Sequence, residues 1–182
     1  NPAGENTVGQ VVADSQLAAT RAVGAQLALM NPGGLRADLL PAADGTVRYE
    51  DLFAVQPFGN NLVTLTLSGE QLRLAIESQL RGGRPRVPLV SRGFGFSWDA
   101  AQPEGRRVVP GSMKLDGRVV QPGDPVRVTV NSFMAGGGDG YNVLSQGTER
   151  QTGVMDVDAF EAFVKAHPGL SPGALDRVVR LN

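Results

Sequence analysis

The sequence predicts an α+β fold, a single compact domain in which helices pack on a mixed, mostly antiparallel sheet. Three observations predict it. Residues 68–80 have the spacing of a capped amphipathic helix, and Asp116-Gly117 sits between two short apolar runs as a hairpin turn does. No repeat, low-complexity tract or linker divides the chain, and 182 residues with 41% hydrophobic side chains can close one core.

Between Glu5 and about Ala25, the residues Val8, Val11, Val12, Leu17, Ala18 and Val23 recur largely at three- and four-residue steps, as on the buried stripe of a helix. The run Gln26 to Met30 is short and ends in Asn31-Pro32-Gly33-Gly34, so it reads as a buried strand delivering a loop. Tyr49 to Val55 reads as a short helix stopped at Gln56-Pro57. The tight loop Phe58-Gly59-Asn60 then leads into the alternating run Leu62 to Leu67, expected to be a half-buried strand. Ser68 and Gln71 form a capping box, Leu72, Ala75, Ile76 and Leu80 continue it as an apolar face, and Gly82-Gly83 ends the helix. Pro88 to Val90 and Phe94 to Trp98 are strand-like, with Gly93 and Gly95 where backbone bulges or is closely approached. The hairpin pairs Ser112–Leu115 with Arg118–Val120, and Val126 to Val130 is a further strand. Asp158-Ala159-Phe160-Glu161 carries a second capping-box pattern that opens a last helix, with Phe160, Phe163 and Val164 on its apolar face and Pro168-Gly169 at its end. The tail, through Arg177 to Leu181, reads as an edge strand.

Charge and composition exclude several function classes. Seventeen basic against eighteen acidic residues leave a net charge of -1, which gives no field to hold a nucleic-acid backbone or an anionic membrane. A small ligand is the expected partner. No window approaches the ~18 uninterrupted apolar residues of a spanning helix, so no membrane insertion is expected. Asn1-Pro2-Ala3-Gly4 shows no basic-then-apolar signal, and the start is expected to be a cut in a longer polypeptide. Cysteine is absent and His167 is the only histidine, so thiolate sites, two-histidine metal motifs and most nucleophile–base pairs cannot be built from this chain alone. No cofactor is expected on the chain, and metal or acid–base chemistry is expected to come from elsewhere. His167, beside Pro168 near a helix end, is accounted for by the helix dipole, as the carboxylates Glu50-Asp51 and Asp156 with Asp158 are at helix starts.

The chemistry the chain does offer sits in loops. Gly136-Gly137-Gly138 resembles a phosphate cradle but lacks a Gly-Lys-Ser/Thr ending, and a turn with positive backbone dihedrals is the alternative. Phe133 just before it and Asp139 just inside it add an aromatic face and a carboxylate able to accept two hydrogen bonds from a sugar diol. Phe58, between a proline and a glycine at a loop apex, is poorly placed to enter a core. Two such rings can sandwich a planar base, with stacking on the order of 1–3 kcal/mol per base; packing in the core is the alternative for each. Asn31 and Arg36 flank a glycine turn and suit a base edge and an anion or ribose respectively, or else are a turn residue and a surface charge. Trp98 reads as a strand aromatic and a fluorescence reporter.

Four segments in this order, Asn31-Pro32-Gly33-Gly34-Leu35-Arg36, Pro57-Phe58-Gly59-Asn60, Ser91-Arg92-Gly93-Phe94 before Trp98-Asp99, and Asn131 through Gly136-Gly137-Gly138-Asp139-Gly140-Tyr141, resemble the C-terminal domain of the 5′-nucleotidase family. Glu5 to Asp14 looks like that domain's first helix, and the resemblance spans roughly residues 5 to 150. It implies that residues 1–182 form a nucleoside-binding domain of that type. A metallophosphoesterase domain holding two divalent ions, N-terminal to it in the same polypeptide and absent from this chain, would hydrolyse the phosphate ester. Carried over by motif, Phe58 and Phe133 stack on the two faces of the base, and Asp139 binds the ribose hydroxyls. Asn31 reaches the base or ribose edge, Arg36 contacts ribose or phosphate, and backbone around Gly93 lines the pocket. The chain alone is expected to bind nucleosides or nucleotides without turnover, and the resemblance implies an extracytoplasmic location.

Two departures leave substrate preference open. Family members often carry arginines just before the first helix, where this sequence has Pro2-Ala3-Gly4, and Gly136 stands where a small polar residue is frequent. The rival expectation is a non-catalytic nucleoside- or sugar-binding module of an exported protein; a weaker one is an adhesion or scaffold domain that keeps the fold without the pocket.

Overall fold

The computed structural model describes residues 1–171 and 173–182. Helix α1 (Thr7–Thr20) begins where Asn6, in extended backbone, accepts the Gly9 N–H with its side chain. It tightens into a 3-10 turn (Arg21–Val23) that Gly24 ends at φ 86°. Strand β1 (Leu27–Met30) is buried at every position: Leu27 and Leu29 enter the larger core, while Ala28 and Met30 enter the clusters that contain α1 side chains. A strand covered on both faces needs an unbroken apolar run, and that is what the sequence has there.

After a 3-10 turn (Pro32–Gly34) come α2 (Tyr49–Val55) and β2 (Asn61–Ser68). Ser68 then caps α3 (Gly69–Glu77): its hydroxyl accepts the Gln71 N–H at 3.1 Å, and the Gln71 side chain accepts the Ser68 N–H at 2.8 Å. The rest of the chain forms β3 (Leu89–Val90), β4 (Phe94–Asp99), the hairpin β5 (Lys114–Leu115) and β6 (Arg118–Val119), β7 (Pro125–Asn131), α4 (Ser132–Ala135), β8 (Thr148–Met155), α5 (Asp156–Ala166) and β9 (Val178–Leu181).

The strands divide into two sheets, one in the order β3-β1-β7-β2-β8 and one in the order β6-β5-β4-β9. Pairs β1–β7 and β4–β9 are parallel, and the remaining pairs are antiparallel. One core joins both sheets, with Leu65 and Val128 from the first, Phe94, Phe96, Trp98 and Val178 from the second, and Leu72 and Ile76 of α3. A second cluster, with Val12, Leu52, Val55, Val157 and Phe160, packs α1, α2 and α5 together beside Met30. The observed architecture is thus the mixed α+β domain that the sequence predicts.

Three local expectations change. Strand β2 is covered on both faces, because its polar side lies under a threonine cluster: Thr129 shares hydroxyl hydrogen bonds with Thr64 at 3.0 Å and with Thr20 of α1 at 2.7 Å. Buried hydroxyls that satisfy one another can occupy positions that read as solvent-facing in the sequence. Helix α5 starts two residues before the Asp158 capping-box pattern, with Met155 at the N-cap and no side-chain cap. A backbone hydrogen bond from the Asp156 N–H to the Asn60 carbonyl, 2.8 Å, anchors that end instead. Strand β8, exposed along its length, pairs with β2 and was not foreseen.

Candidate functional site

Parallel pairing of β1 and β7, with Leu27 opposite Val128 and Ala28 opposite Thr129, brings their carboxyl ends out side by side. Asn31 follows the first and Asn131 ends the second. Antiparallel β2 sets Leu62 opposite Asn131, so the Phe58-Gly59-Asn60 loop enters at the same edge. Three loops from distant parts of the sequence therefore converge where strand ends leave backbone free to meet a ligand.

The convergence forms a cleft of about 700 Å³ whose walls include Asn31, Arg36, Phe58, Asn60, Arg86, Asn131, Phe133 and Asp139. Phe58 is 56% exposed and Phe133 49% exposed, so neither ring belongs to a core. Each has one covered face. The Arg36 guanidinium lies over Phe58, 5.8 Å from the ring centroid. A Cβ placed on Gly138 would stand 2.6 Å from each of Cε1, Cε2 and Cζ of Phe133. A point equidistant from those three atoms lies over the middle of the ring, so the glycine packs flat against it and only a residue without a side chain fits.

A buried amide relay fixes the polar edge. Asn131 accepts the Met134 N–H at 2.9 Å, capping the short helix that carries Phe133, and donates to Asn31 Oδ1 at 2.9 Å. Asn31 Nδ2 in turn donates to Asp139 Oδ2 at 2.7 Å. Asp139 holds this position in left-handed backbone, φ 56°, between Gly137 at 92° and Gly140 at 83°. Within the glycine cluster Gly137 takes the positive-φ turn that leads to the carboxylate, and Gly138 seats the ring. Beneath it Tyr141 is fully buried, and burial first, then the Asp139 charge, push its phenol pKa upward, so it stays neutral.

Of the residues singled out in the sequence, Asn31, Arg36, Phe58, Phe133 and Asp139 share this cleft. Gly93 does not. It occupies a tight turn at φ 91°, where its carbonyl accepts the Asp116 N–H at 2.7 Å, and it lines a separate depression with Arg92, Lys114 and Arg177. Its glycine is required by the turn and the approach of Asp116, which corrects the expectation that it lines the same pocket. Trp98 is also remote from the cleft, buried in the core with its indole N–H donating to the Ala3 carbonyl at 3.2 Å.

Sequence reasoning passed over Asn60, Arg86 and Asn131 as individual residues. Asn60 ties the two ring-bearing loops together, since its Oδ1 accepts from the Ser132 hydroxyl at 3.1 Å. The signal available for it was its place directly after Phe58-Gly59. A larger depression of about 920 Å³ lies elsewhere, between the start of α3 and the β5–β6 hairpin. Two of its three arginines are committed, Arg73 to Glu70 and Glu77 and Arg107 to the Leu80 and Gly82 carbonyls, while Arg106 is exposed at its rim, and the wall is mainly apolar. Among the described residues no group of three or more His, Cys, Asp and Glu side chains is placed to hold a metal ion.

Comparison with known proteins bears on this arrangement. The family model described as 5′-nucleotidase, C-terminal domain matches residues 1–146. The trifunctional nucleotide phosphoesterase protein YfkN of Bacillus subtilis is 31% identical over 96% of this chain, which spans 12% of that protein. A probable 5′-nucleotidase of Treponema pallidum is 31% identical over 91% of the chain, which spans 31% of it. Among solved structures, a 5′-nucleotidase precursor from Thermus thermophilus superposes with a TM-score of 0.84 at 33% identity, covering 98% of this chain and 36% of the other. The chain thus corresponds to a third or less of the curated relatives and to about a third of the solved one. Match and superposition extend through the loops that build the cleft, and the chain belongs to the 5′-nucleotidase family as a domain of its C-terminal type.

Proposed function

We propose that this chain is the substrate-recognising domain of a metal-dependent 5′-nucleotidase-type phosphoester hydrolase, and that its cleft binds the nucleoside part of a nucleotide. The observation that carries the reading is the exposure of two phenylalanine rings in one cleft with a carboxylate at its edge. With Arg36 on one ring and Gly138 on the other, each ring keeps a free face for a base. Asp139 Oδ2 is occupied by Asn31, and Oδ1 lacks a hydrogen bond among the described residues, which leaves it available to ribose hydroxyls. Asn31 retains one amide hydrogen for a base or ribose edge, and Arg36 suits ribose or phosphate.

Hydrolysis is assigned to an N-terminal metallophosphoesterase domain of the same polypeptide, where two divalent ions would supply Lewis acidity and an activated water. This chain contributes orientation, which removes much of the entropic barrier to bringing the phosphorus to those ions. The proposed location is extracytoplasmic, as the family resemblance implies.

Calorimetry of the 182-residue chain with adenosine, uridine and AMP tests the reading. Binding is expected without turnover, and Phe58→Ala or Phe133→Ala should each weaken it by about tenfold or more. Asp139→Ala should weaken adenosine and not a base lacking its ribose. Nucleoside affinity unchanged in the double phenylalanine variant would remove the site assignment.

A further inference from the structure

We infer that Arg86 is a specificity-determining residue of the cleft, whose guanidinium engages a phosphate on the ribose and so makes the site prefer nucleotides to nucleosides. The inference rests on the nucleoside reading of the cleft and adds to it the means by which substrate is told from dephosphorylated product.

Arg86 differs from the other arginine of the cleft. Arg36 rests along the wall, over Phe58 and within 3.5 Å of the Gly33 carbonyl, contacts loose enough for it also to meet a ligand. Arg86 makes no side-chain hydrogen bond among the described residues and is 68% exposed, with Nη1 3.7 Å from Asp139 Oδ1. That separation is too long for a hydrogen bond, and a solvent-exposed pair of this kind holds weakly. The backbone beneath it is fixed. Gln79, itself buried, accepts the Arg86 N–H on its carbonyl at 2.9 Å and donates its side-chain amide to the Asp139 carbonyl at 3.0 Å. One glutamine thus pins both partners' main chains and leaves the guanidinium free to swing at the edge of the cleft.

A diol arriving at Asp139 takes the oxygen that Arg86 faces. The displaced guanidinium, with its planar fork of donors, is then matched to a phosphate on the same sugar. A ligand without phosphate offers it nothing in return, and Arg86 competes with the hydroxyls for Asp139. The pair therefore favours nucleotide over nucleoside and eases release of a dephosphorylated product.

The experiment is calorimetry of the unsubstituted chain and of Arg86→Gln with adenosine, 5′-AMP and 3′-AMP, at low and moderate salt. The substitution should weaken 5′-AMP by about tenfold, with adenosine unchanged or slightly tighter, and should abolish most of the salt dependence of the preference for 5′-AMP. 3′-AMP, whose esterified O3′ leaves no diol for Asp139, is the control and should show no such loss. A 5′-AMP-to-adenosine affinity ratio identical in the two proteins overturns the inference while leaving the nucleoside reading intact. Failure of the unsubstituted chain to bind all three ligands overturns that reading itself, and the inference with it. Thermal melts of the two proteins should coincide, because the guanidinium holds no hydrogen bond.

Discussion

The amide of Asn131 serves two neighbours at once, its oxygen capping the helix that carries Phe133 and its nitrogen orienting Asn31 toward Asp139. Substitutions can separate these roles. Asn131→Ser keeps an N-capping oxygen but is too short to reach Asn31, whereas Asn131→Ala loses both contacts. Both variants should bind adenosine more weakly, and the alanine variant should in addition lose about 1 kcal/mol more stability in urea titration. Equal adenosine affinity in all three proteins would show that the relay does not set the site. Residue chemistry was legible in the sequence where a side chain looked out of place locally: a phenylalanine at a loop apex, a carboxylate among glycines. It was not legible where the role is created by tertiary neighbours. Arg86 lies in the basic stretch Arg81 to Arg86 and reads like any solvated arginine until Gln79 is seen to fix it beside Asp139. Gly93 errs the other way, since a glycine at a turn signals a backbone requirement and says nothing about which cavity lies near it.

At the scale of elements, the helices announced themselves where local signals are strong, as at the Ser68–Gln71 capping box with its apolar face, and at Tyr49–Val55 through the Gln56-Pro57 stop. Strand β8 gave no such signal. Its residues, Thr148 to Met155, are exposed and mostly polar, and it exists because β2 offers a backbone edge, with bulges where the register shifts. The start of α5 was misread for a related reason, since Asp156 enters through the Asn60 carbonyl, a long-range contact. That junction has a measurable consequence. Asp156 is buried, and burial pushes its carboxyl from 3.8 up to about 6, against the opposing hydrogen bonds from Val157 and Asn60. The folded state holds this proton more tightly than the unfolded state, so the favourable contribution is complete below about pH 4 and is lost as pH rises to about 6. Asp156→Asn preserves the acceptor for the Val157 N–H and removes the titration. The variant should match the parent near pH 4 and exceed it above pH 6, by on the order of 2–3 kcal/mol. A stability difference that is the same at pH 4 and pH 7 would contradict this account.

For the whole molecule, the division into two sheets was not visible in the sequence, because the parallel pairs β1–β7 and β4–β9 join segments far apart in the chain and leave no local mark. Two sheets raise the question of whether they unfold separately. Several features bind them into one unit. The larger core draws side chains from both, α3 packs into that same core, and a two-pronged ion pair from Arg177 to Asp14, at 2.7 and 2.8 Å, ties the approach to β9 back onto α1. Trp98 belongs to the second sheet and is the sole tryptophan, while helix content lies largely in α1, α3 and α5 around the first. Its emission and the far-UV ellipticity therefore report different halves of the structure. With one shared core, the two urea transitions should superimpose within error. Adenosine should shift both midpoints together by mass action, even though Trp98 lies outside the cleft and its emission in the folded state should not respond to the ligand. Tryptophan emission that changes at lower urea than the ellipticity would mean that the second sheet opens alone. The cleft, built on the ends of β1, β7 and β2, would then owe its rigidity to the first sheet and its helices without help from the second.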